Sequence, residues 1–174
     1  MEEKLDIFTR DGRYIGVRTK SECHSQHPEG YHKPVWIWII NSKNEVFVQK
    51  RASTKKSYPD LWAMSSGGHV DTGETIISEA IRETEEELGI KTTENDYKLC
   101  AEYIDDAAWE IAQLYIAHVD FDIKDVKLQK EEVSDARWFS FDEFKKLIYS
   151  DKHVPLKKEL RELVIKIIEE NLNK

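Results

Sequence analysis

The chain has 174 residues, 40% of them hydrophobic, which predicts one compact domain over residues 1–174. A formal net charge of −8 and the absence of any run of five or six basic residues argue against nucleic acid or an anionic membrane surface as partner, because both are polyanions. The start, Met1 to Lys4, lacks the pattern of a secretory signal and the longest apolar run, 35–40, is too short to span a bilayer, so we expect a cytoplasmic protein.

Short strands joined by polar turns are predicted in the N-terminal half. Residues 5–8 and 14–17 flank an Asp-Gly turn and predict a hairpin, whereas residues 18–34 have loop composition. The continuous apolar run 35–40 predicts a central strand buried on both faces, followed by a turn and a strand at 45–50. After a basic polar loop at 51–60, residues 62–64 and 69–70 are expected to be extended.

The C-terminal half alternates helices and strands. Ile77, Ile81 and Leu88 recur at helical spacing and predict a helix over 75–88 that Gly89 would end in the left-handed conformation. Strands are predicted at 98–104, 110–119 and 136–139, and amphipathic helices at 141–149 and 156–171. This order of elements indicates an α/β or α+β fold.

Three glutamates share one side of the helix 75–88, because Glu83, Glu86 and Glu87 are spaced at i, i+3 and i+4. Such a cluster by itself is typical of a solvated acidic face. Here, however, glycine-rich turns at 67–70 and 71–74 precede the helix, and glycines let the backbone approach a metal ion or phosphate. Carboxylate and carbonyl oxygens are the ligands that Mg²⁺ prefers, with Mn²⁺ as an alternative, so the pattern predicts a site for such an ion.

The same segment resembles the Nudix box, G-x5-E-x7-R-E-U-x-E-E-x-G-U, where U is a bulky apolar residue. Gly68, Glu74 and the run from Arg82 to Ile90 match every glycine and charged position over twenty-three residues. Only Thr84 departs, and its hydroxyl can bond to a carbonyl one turn earlier. The resemblance implies a Nudix-type α/β/α sandwich with a mixed β-sheet between helices. Dimers are common in this family, so a homodimer is among the states we expect.

Roles for the matching residues follow from this resemblance. The metal-holding residues would be Glu83, Glu86, Glu87 and Gly68. Arg82 would orient one of the glutamates, and Glu74 would brace the loop or join the outer shell of the metal.

Residues outside the box offer phosphate and proton contacts. Arg51, Lys55 and Lys56 lie in the loop before residue 62, where they would hold phosphate oxygens of a substrate; a solvated loop is the alternative. Glu131 or Glu132 could assist as general base, the alternative being exposed turn glutamates.

The segment 50–70 is similar to the branch of the family that contains isopentenyl diphosphate isomerase. Enzymes of that branch bind a metal through histidines in comparable segments and glutamates after the box, and the matching candidates here are His24, His27, His32, His69 and Glu110. Histidines in a polar loop are usually surface residues and the spacing matches imperfectly, so we expect surface histidines rather than a second metal site. Gly67 and Ala108 stand where the isomerase has its cysteine and its first glutamate.

The reaction expected from these residues is hydrolysis of a diphosphate linkage, in a nucleoside diphosphate derivative, by attack of water on phosphorus with Mg²⁺ bound. An isomerase acting on isopentenyl diphosphate and a non-catalytic nucleotide-binding module are the alternatives. The complete set of box glutamates argues against the module. Trp36, Trp38, Tyr103, Trp109 and Tyr115 include candidates for stacking on a base, with core packing as the alternative.

Overall fold

The computed structural model describes residues 2–25 and 29–173 and contains nine strands and four α-helices within them. The strands are β1 (Lys4–Phe8), β2 (Tyr14–Thr19), β3 (Pro34–Ile40), β4 (Glu45–Arg51), β5 (Trp62–Ala63), β6 (Ser66–His69), β7 (Tyr97–Asp105), β8 (Glu110–His118) and β9 (Val133–Ser140). The helices are α1 (Lys20–Cys23), α2 (Ile76–Leu88), α3 (Phe141–Ile148) and α4 (Lys158–Asn171). Short 3₁₀ turns lie at Glu94–Asp96 and Ile123–Asp125.

A seven-stranded mixed sheet forms the centre of the molecule. Its main path runs β5-β4-β3-β8-β7, with β6 paired to β3 and β9 to β4. Only β3 and β8 pair in parallel in this described sheet. Along β3, pairing changes from β6 to β4 near Ile37, and buried Ser65 fills the gap: its N–H donates to the Ile37 carbonyl at 2.9 Å and its hydroxyl accepts from Ile39 N at 2.7 Å. The glycine-rich β6 therefore leaves the sheet beside α2.

Helices cover both faces of this sheet, which confirms the predicted α/β/α sandwich. Val35, Ile37 and Ile39 pack with α2, whereas Trp38 and Ile40 pack with α3 and α4. Because alternate residues of β3 enter two different cores, the whole strand is apolar, as the sequence predicted. Each fully buried aliphatic side chain there stabilises the fold by roughly 1.5–3 kcal/mol.

The C-terminal helices each bury one side. The buried residues are Phe144, Leu147 and Ile148 in α3 and Leu160, Val164, Ile167 and Ile168 in α4. Their helical spacing is that of an amphipathic helix on a core. Within residues 2–25 and 29–173 no helix has the length and apolar content needed to cross a membrane.

One helix was not predicted. Residues 18–34 were expected to be loop, but Lys20–Cys23 form α1, which Thr19 caps. The Thr19 hydroxyl accepts from Glu22 N at 3.3 Å, and the Glu22 carboxylate accepts from Thr19 N at 2.8 Å. Four residues are too few for the periodicity on which helix prediction depends. The signal that was available is the Thr-x-x-Glu capping box itself.

Candidate active site

Helix α2, which carries the box glutamates and is called the box helix below, turns the carboxylates of Glu83 and Glu87 inward. It leaves the carboxylate of Glu86 half exposed. The side chains of Glu83 and Glu86 are 17% and 49% exposed, and Glu87 is 5% exposed. The Glu87 carboxylate accepts from the backbone N–H of Gly67 at 3.3 Å and from Gln49 Nε2 at 3.2 Å. Strands β6 and β4 thus fix the position of Glu87.

The inward pair is poorly suited to be ionised without a cation. Burial raises the pKa of Glu87 to about 7, and burial together with the charge of Glu87 raises the pKa of Glu83 well above its usual range. A divalent cation would compensate both the desolvation and the repulsion, since it binds the ionised carboxylates. The donor set of the box therefore fits a hard cation such as Mg²⁺ or Mn²⁺.

Arg82 connects the glutamates of α2. Its Nη2 donates to both oxygens of Glu79, at 2.6 and 2.7 Å, and lies 3.4 Å from Glu83 Oε1. Its Nη1 donates to Glu86 Oε2 at 2.9 Å. Arg82 is thus placed to orient box glutamates, and that role stays a prediction. Glu79, only 1% exposed, was missed by the sequence analysis although its spacing three residues before Arg82 is that of a helical ion pair.

Gly68 lies directly against Glu83. A Cβ on residue 68 would come within 2.5 Å of the Glu83 carboxyl carbon and Oε1, so a side chain there would displace the carboxylate. Glu74 lies at the other end of the glycine turns, where its carboxylate accepts from the Ser78 hydroxyl at 2.9 Å. This contact agrees with the bracing alternative for Glu74.

Of the predicted phosphate-binding cations, Lys55 is connected to the carboxylates through Glu132. Its ammonium pairs with Glu132, whose charge acts in turn on Glu87. Arg51 Nε donates to the Ser57 carbonyl at 3.0 Å, which shapes the loop, and Lys56 is exposed.

Lys20 of α1 also lies close enough to His69 for its positive charge to lower the pKa of that imidazole, as the charge of Lys55 does. Sequence reasoning missed Lys20, because the four-residue helix that carries it gave no periodic signal.

Histidines from three separate segments meet at one point. The candidate ligand atoms of His24, His32, His69 and Glu110 all lie within 4.8 Å of one another. His32 is only 1% exposed and His69 is partly buried, so the expectation of surface histidines is wrong for these two, whereas His24 is exposed. The segments meet because the N-terminal hairpin folds against the strand region of the site, with Phe8 N donating to the Tyr31 carbonyl at 2.7 Å. Sequence spacing cannot show such a long-range contact, and His27 lies outside the described residues.

The chemistry of the histidine cluster fits a metal ion. Burial lowers the pKa of His69 to about 2, so its ring is neutral at pH 7, as a metal ligand must be. His24 Nδ1 donates to the Lys20 carbonyl at 2.8 Å, which leaves Nε2 as the coordinating nitrogen. Both ring nitrogens of His32 and Nε2 of His69 are buried without a hydrogen-bond partner in the described chain. A metal ion with affinity for imidazole would satisfy one nitrogen of each ring.

Trp109 places Glu110 beside His32. Its φ of 56° is in the left-handed region, which bulky residues rarely adopt and which costs roughly 1–3 kcal/mol. The Trp109 carbonyl accepts from His32 N at 3.0 Å, and Ile111 N donates to the His32 carbonyl at 2.9 Å. These two bonds set Glu110 opposite His32, and its carboxylate reaches within 3.4 Å of His32 Nε2.

Most of the aromatic candidates for base stacking belong to the core. Trp38 is buried in the cluster with α3 and α4, and Trp36 and Tyr103 pack against it; Tyr115 packs on the α2 side. Trp109 packs on Tyr31, with ring centroids 5.1 Å apart. These contacts favour the core-packing alternative.

Two positions differ from the isomerase pattern, and the structure explains the first of them. A Cβ on Gly67 would lie 2.7 Å from the Val35 carbonyl oxygen and 2.9 Å from Met64 Sδ, so no side chain fits there. The backbone N–H of Ala108 donates to Asp105 Oδ1 at 3.2 Å within the β7–β8 turn. The described site therefore lacks the cysteine and one of the two glutamates of that pattern.

Comparison with known sequences identifies the family. The NUDIX domain matches residues 30–162, which is most of the chain. "Nudix hydrolase 3" of Arabidopsis thaliana is 28% identical over 159 residues, covering 84% of this chain but only 20% of that protein. The uncharacterized Nudix hydrolase lmo0368 of Listeria monocytogenes is 33% identical over 157 residues, 88% of this chain and 89% of that protein. Isopentenyl-diphosphate Delta-isomerase of Cutibacterium acnes is 38% identical over 84 residues, 48% of this chain and 42% of that protein.

Solved structures share the fold at low identity. DR0079 from Deinococcus radiodurans superposes with a TM-score of 0.73 at 20% identity, over 95% of this chain and 99% of that chain. The NUDIX domain of Shewanella oneidensis NrtR, solved in complex with ADP ribose, gives 0.61 at 16% identity, over 88% and 98% of the two chains. At these identities the likeness shows the fold alone. With the domain match and the Listeria relative, it follows that this chain belongs to the Nudix family and is a Nudix hydrolase, with relatives that include proteins named isopentenyl-diphosphate isomerase.

Proposed function

We propose that this protein hydrolyses a diphosphate linkage in a nucleoside diphosphate derivative, with Mg²⁺ or Mn²⁺ held by the box. The observation that carries the proposal is the inward-facing pair of Glu87, which is buried, and Glu83, which is partly buried, against the glycine turn at 67–68. Two carboxyl groups whose pKa values are raised by burial cost free energy to ionise in the folded protein, unless a cation binds them. The NrtR domain solved with ADP ribose supports a nucleoside diphosphate as the substrate class.

Each polar group of the site has a part in this reaction. Glu83, Glu86 and Glu87, with the backbone at Gly68, would hold the cation, and Arg82 would keep Glu86 oriented. When bound, such a cation neutralises diphosphate oxygens and lowers the pKa of an attacking water. Lys55 would hold a phosphate oxygen, and Glu132 beside it would accept the proton of the water. Attack on phosphorus breaks the bridging P–O bond and releases two phosphorylated products.

The histidine cluster is the feature that favours the isomerase alternative, since it matches the metal pattern of that branch. Gly67 and Ala108 count against it, because the groups that would transfer protons to and from carbon are missing. We therefore assign the cluster as a candidate second metal site of a hydrolase. Metal analysis of purified protein tests this: His32→Ala should lose one equivalent of a transition metal that the native chain retains. Equal metal content in both proteins would contradict the assignment.

The reaction is tested with a substrate panel of dinucleotides, nucleotide sugars including ADP-ribose, nucleoside di- and triphosphates, and isoprenoid diphosphates. Product release should require Mg²⁺ or Mn²⁺ and stop in excess chelator. Glu86→Gln and Glu87→Gln should lower kcat at least about a hundredfold with the fold intact. Glu85→Gln is the matched control, because Glu85 is exposed on the same helix. Undiminished turnover in chelator, or wild-type kcat in both variants, would overturn the proposal.

A further inference from the structure

Glu79 is a buried carboxylate that no step of the proposed reaction uses. It lies on α2 and is 1% exposed. Residues 79, 82, 83 and 86 follow one another at helical spacings of three and four, so Glu79 continues the acidic side of the box helix by one turn towards its start. Position 79 is unspecified in the box pattern, and the family resemblance therefore gives this acid no role.

Arg82 is the partner of this buried acid. Its Nη2 donates to both oxygens of Glu79, at 2.6 and 2.7 Å. An ionised carboxylate without water or a cation is strongly unfavourable in a protein interior, so the burial of Glu79 requires this ion pair. Glu79 also lies in the first turn of α2, where the helix dipole favours a negative charge.

Arg82 divides its donors unequally among the glutamates. Its Nη2 is 2.6 Å from Glu79 Oε1 but 3.4 Å from Glu83 Oε1, which is long for a hydrogen bond between two charged groups. Its Nη1 donates at 2.9 Å to Glu86, whose carboxylate is half exposed. Charge pairs are stronger where water is excluded, so the bond to Glu79 decides where the guanidinium lies.

The position of Arg82 matters because its charge competes with a metal ion for the same oxygens. A guanidinium has five N–H donors and pairs with any carboxylate within reach. Without the acceptor oxygens of Glu79, Nη2 would be free to turn to Glu83 Oε1, which is already 3.4 Å away. The Glu83 carboxyl group packs against Gly68, which limits its room to move away from Arg82.

We propose that Glu79 is a positioning residue, which anchors Arg82 and so keeps the carboxylate of Glu83 available to the cation. The inference rests on the proposed function for the metal site that it serves. Both oxygens of Glu79 are occupied by Arg82, so Glu79 acts through that arginine and not by contact with the metal ion or the substrate.

The test measures binding of Mg²⁺ by calorimetry in the absence of substrate. Mg²⁺ prefers oxygen ligands, so it reports on the carboxylates rather than on the histidine cluster. We expect Glu79→Gln to raise the Kd of Mg²⁺ about tenfold or more, which is the usual effect of losing a residue that orients metal ligands. Glu85→Gln is the matched control, because it removes an exposed carboxylate from the same helix, and its Kd should equal that of the native chain.

A double-mutant cycle separates anchoring of Arg82 from a direct effect of the Glu79 charge on the ion. If Glu79 acts through Arg82, adding Glu79→Gln to an Arg82→Gln chain should not change the Kd of Mg²⁺ further. A rise by the same factor in both backgrounds would overturn the inference, as would an unchanged Kd in Glu79→Gln. If Glu79→Gln does not fold, Glu79→Asp takes its place, because it withdraws the oxygens from Arg82 by one methylene group and should also raise the Kd.

Kinetics distinguish this inference from the proposed function. In Glu79→Gln, the Mg²⁺ concentration for half-maximal rate should rise about tenfold, whereas kcat at saturating Mg²⁺ should stay near the native value. If no diphosphate is hydrolysed while the Mg²⁺ cycle gives the expected result, the proposed function fails and the role of Glu79 stands. If hydrolysis requires Mg²⁺ but Glu79→Gln leaves the Kd unchanged, the proposed function stands and the inference fails. Absence of Mg²⁺ binding to the native chain would overturn both.

Discussion

At the scale of single residues, the site depends on missing side chains as well as on charged ones. The side chain of Glu83 occupies the space where a Cβ of residue 68 would lie, and the Glu87 carboxylate accepts from the N–H of Gly67. The contact with Glu83 requires a residue 68 without a side chain. Gly68 therefore has a steric role here.

Gly68→Ala should impair the reaction without unfolding the protein. The new methyl group would force the flexible end of Glu83 away, since it would lie 2.5 Å from the carboxyl carbon. We expect kcat to fall about tenfold or more and the Mg²⁺ concentration for half-maximal rate to rise. Gly73→Ala is the control: open space surrounds Gly73 but its φ is 86°, so this variant should lose roughly 1 kcal/mol of stability and keep its Mg²⁺ response. The same Mg²⁺ response in Gly68→Ala and the native chain would contradict the steric argument.

How much of the site the sequence could predict depends on the distance along the chain between its parts. Glu83, Glu86 and Glu87 lie within one helix, so spacing alone placed them together. Lys20 and His24 reach the site through the hairpin β1–β2, and His32 and His69 through strand pairing. Such contacts depend on how elements pack, which periodicity does not record. His32 and His69 were for this reason wrongly expected at the surface.

At the scale of elements, the box helix departs from the family pattern at one position, where Thr84 replaces a bulky apolar residue. Hydrogen bonds to its neighbours compensate for this polar side chain. The Thr84 hydroxyl donates to the Ala80 carbonyl at 2.8 Å, which agrees with the back-bond expected from the sequence. It also accepts from Tyr97 Oη at 2.9 Å, and Tyr97 lies 2.8 Å from the Thr92 hydroxyl. The fully buried Thr84 is thus satisfied by a neighbouring strand and loop that the box pattern does not include.

Gly89→Ala should destabilise the end of α2 more than an ordinary left-handed glycine would. Gly89 has a φ of 71°, as predicted for a C-cap, and a Cβ there would lie 2.8 Å from Lys127 Cβ and 3.3 Å from its backbone N. Gly12→Ala is the control, since its φ is 84° and nothing lies within 4 Å. We expect a loss of roughly 1–2 kcal/mol in Gly12→Ala and a larger loss in Gly89→Ala, measured by urea unfolding. Equal losses of stability in the two variants would show that the close contact with Lys127 does not add to the destabilisation.

At the scale of the whole molecule, the metal-free protein should lose stability as the pH rises above 7. Burial lifts the pKa of Glu87 from 4.5 to about 7 and that of Glu83 further, so the folded chain holds protons that the unfolded chain has released. Stability from Glu87 is present below pH 4.5 and is lost as the pH rises to about 7, whereas the loss from Glu83 continues above pH 7 because its pKa is raised further. His69 and His153, with lowered pKa values, act in the opposite direction, but only up to their unfolded pKa of 6.5.

The measurement is Tm in chelator between pH 7 and 9. We expect a fall of about 1 kcal/mol or more, roughly 2–4 °C for a chain of this size. Glu83→Gln should flatten the profile, because Glu83 has the higher pKa of the two glutamates and is the one that still titrates in this range. Excess Mg²⁺ should also reduce the fall, since the ion binds the ionised carboxylates. A flat profile for the native chain in chelator would contradict the raised pKa values.

The fold as a whole extends beyond the part that matches the family. The NUDIX match begins at residue 30, yet Lys20 and His24 come from residues before it. The hairpin β1–β2 and α1 pack on their own small core of Leu5, Ile7 and Cys23 and contact the turn after β6 through a bridge between Leu5 and Asp71. The N-terminal segment therefore contributes His24 to the candidate metal site and brings Lys20 close to His69.

Despite its histidine cluster and its relatives, the protein should not isomerise isopentenyl diphosphate. That reaction moves protons to and from carbon, and each positioned acid or base typically contributes about 10²–10⁴-fold. Gly67 has no proton to give, and Ala108 leaves Glu110 as what remains of the glutamate pair. Gly67→Cys should not restore activity, because its Cβ would lie 2.7 Å from the rigid Val35 carbonyl and would push β6 away from β3. The test incubates the native chain and Gly67→Cys with isopentenyl diphosphate and Mg²⁺ and follows the dimethylallyl isomer. Neither protein should form it above the uncatalysed background, and isomerisation by the native chain at an ordinary enzymatic rate would replace the hydrolase proposal with the isomerase alternative.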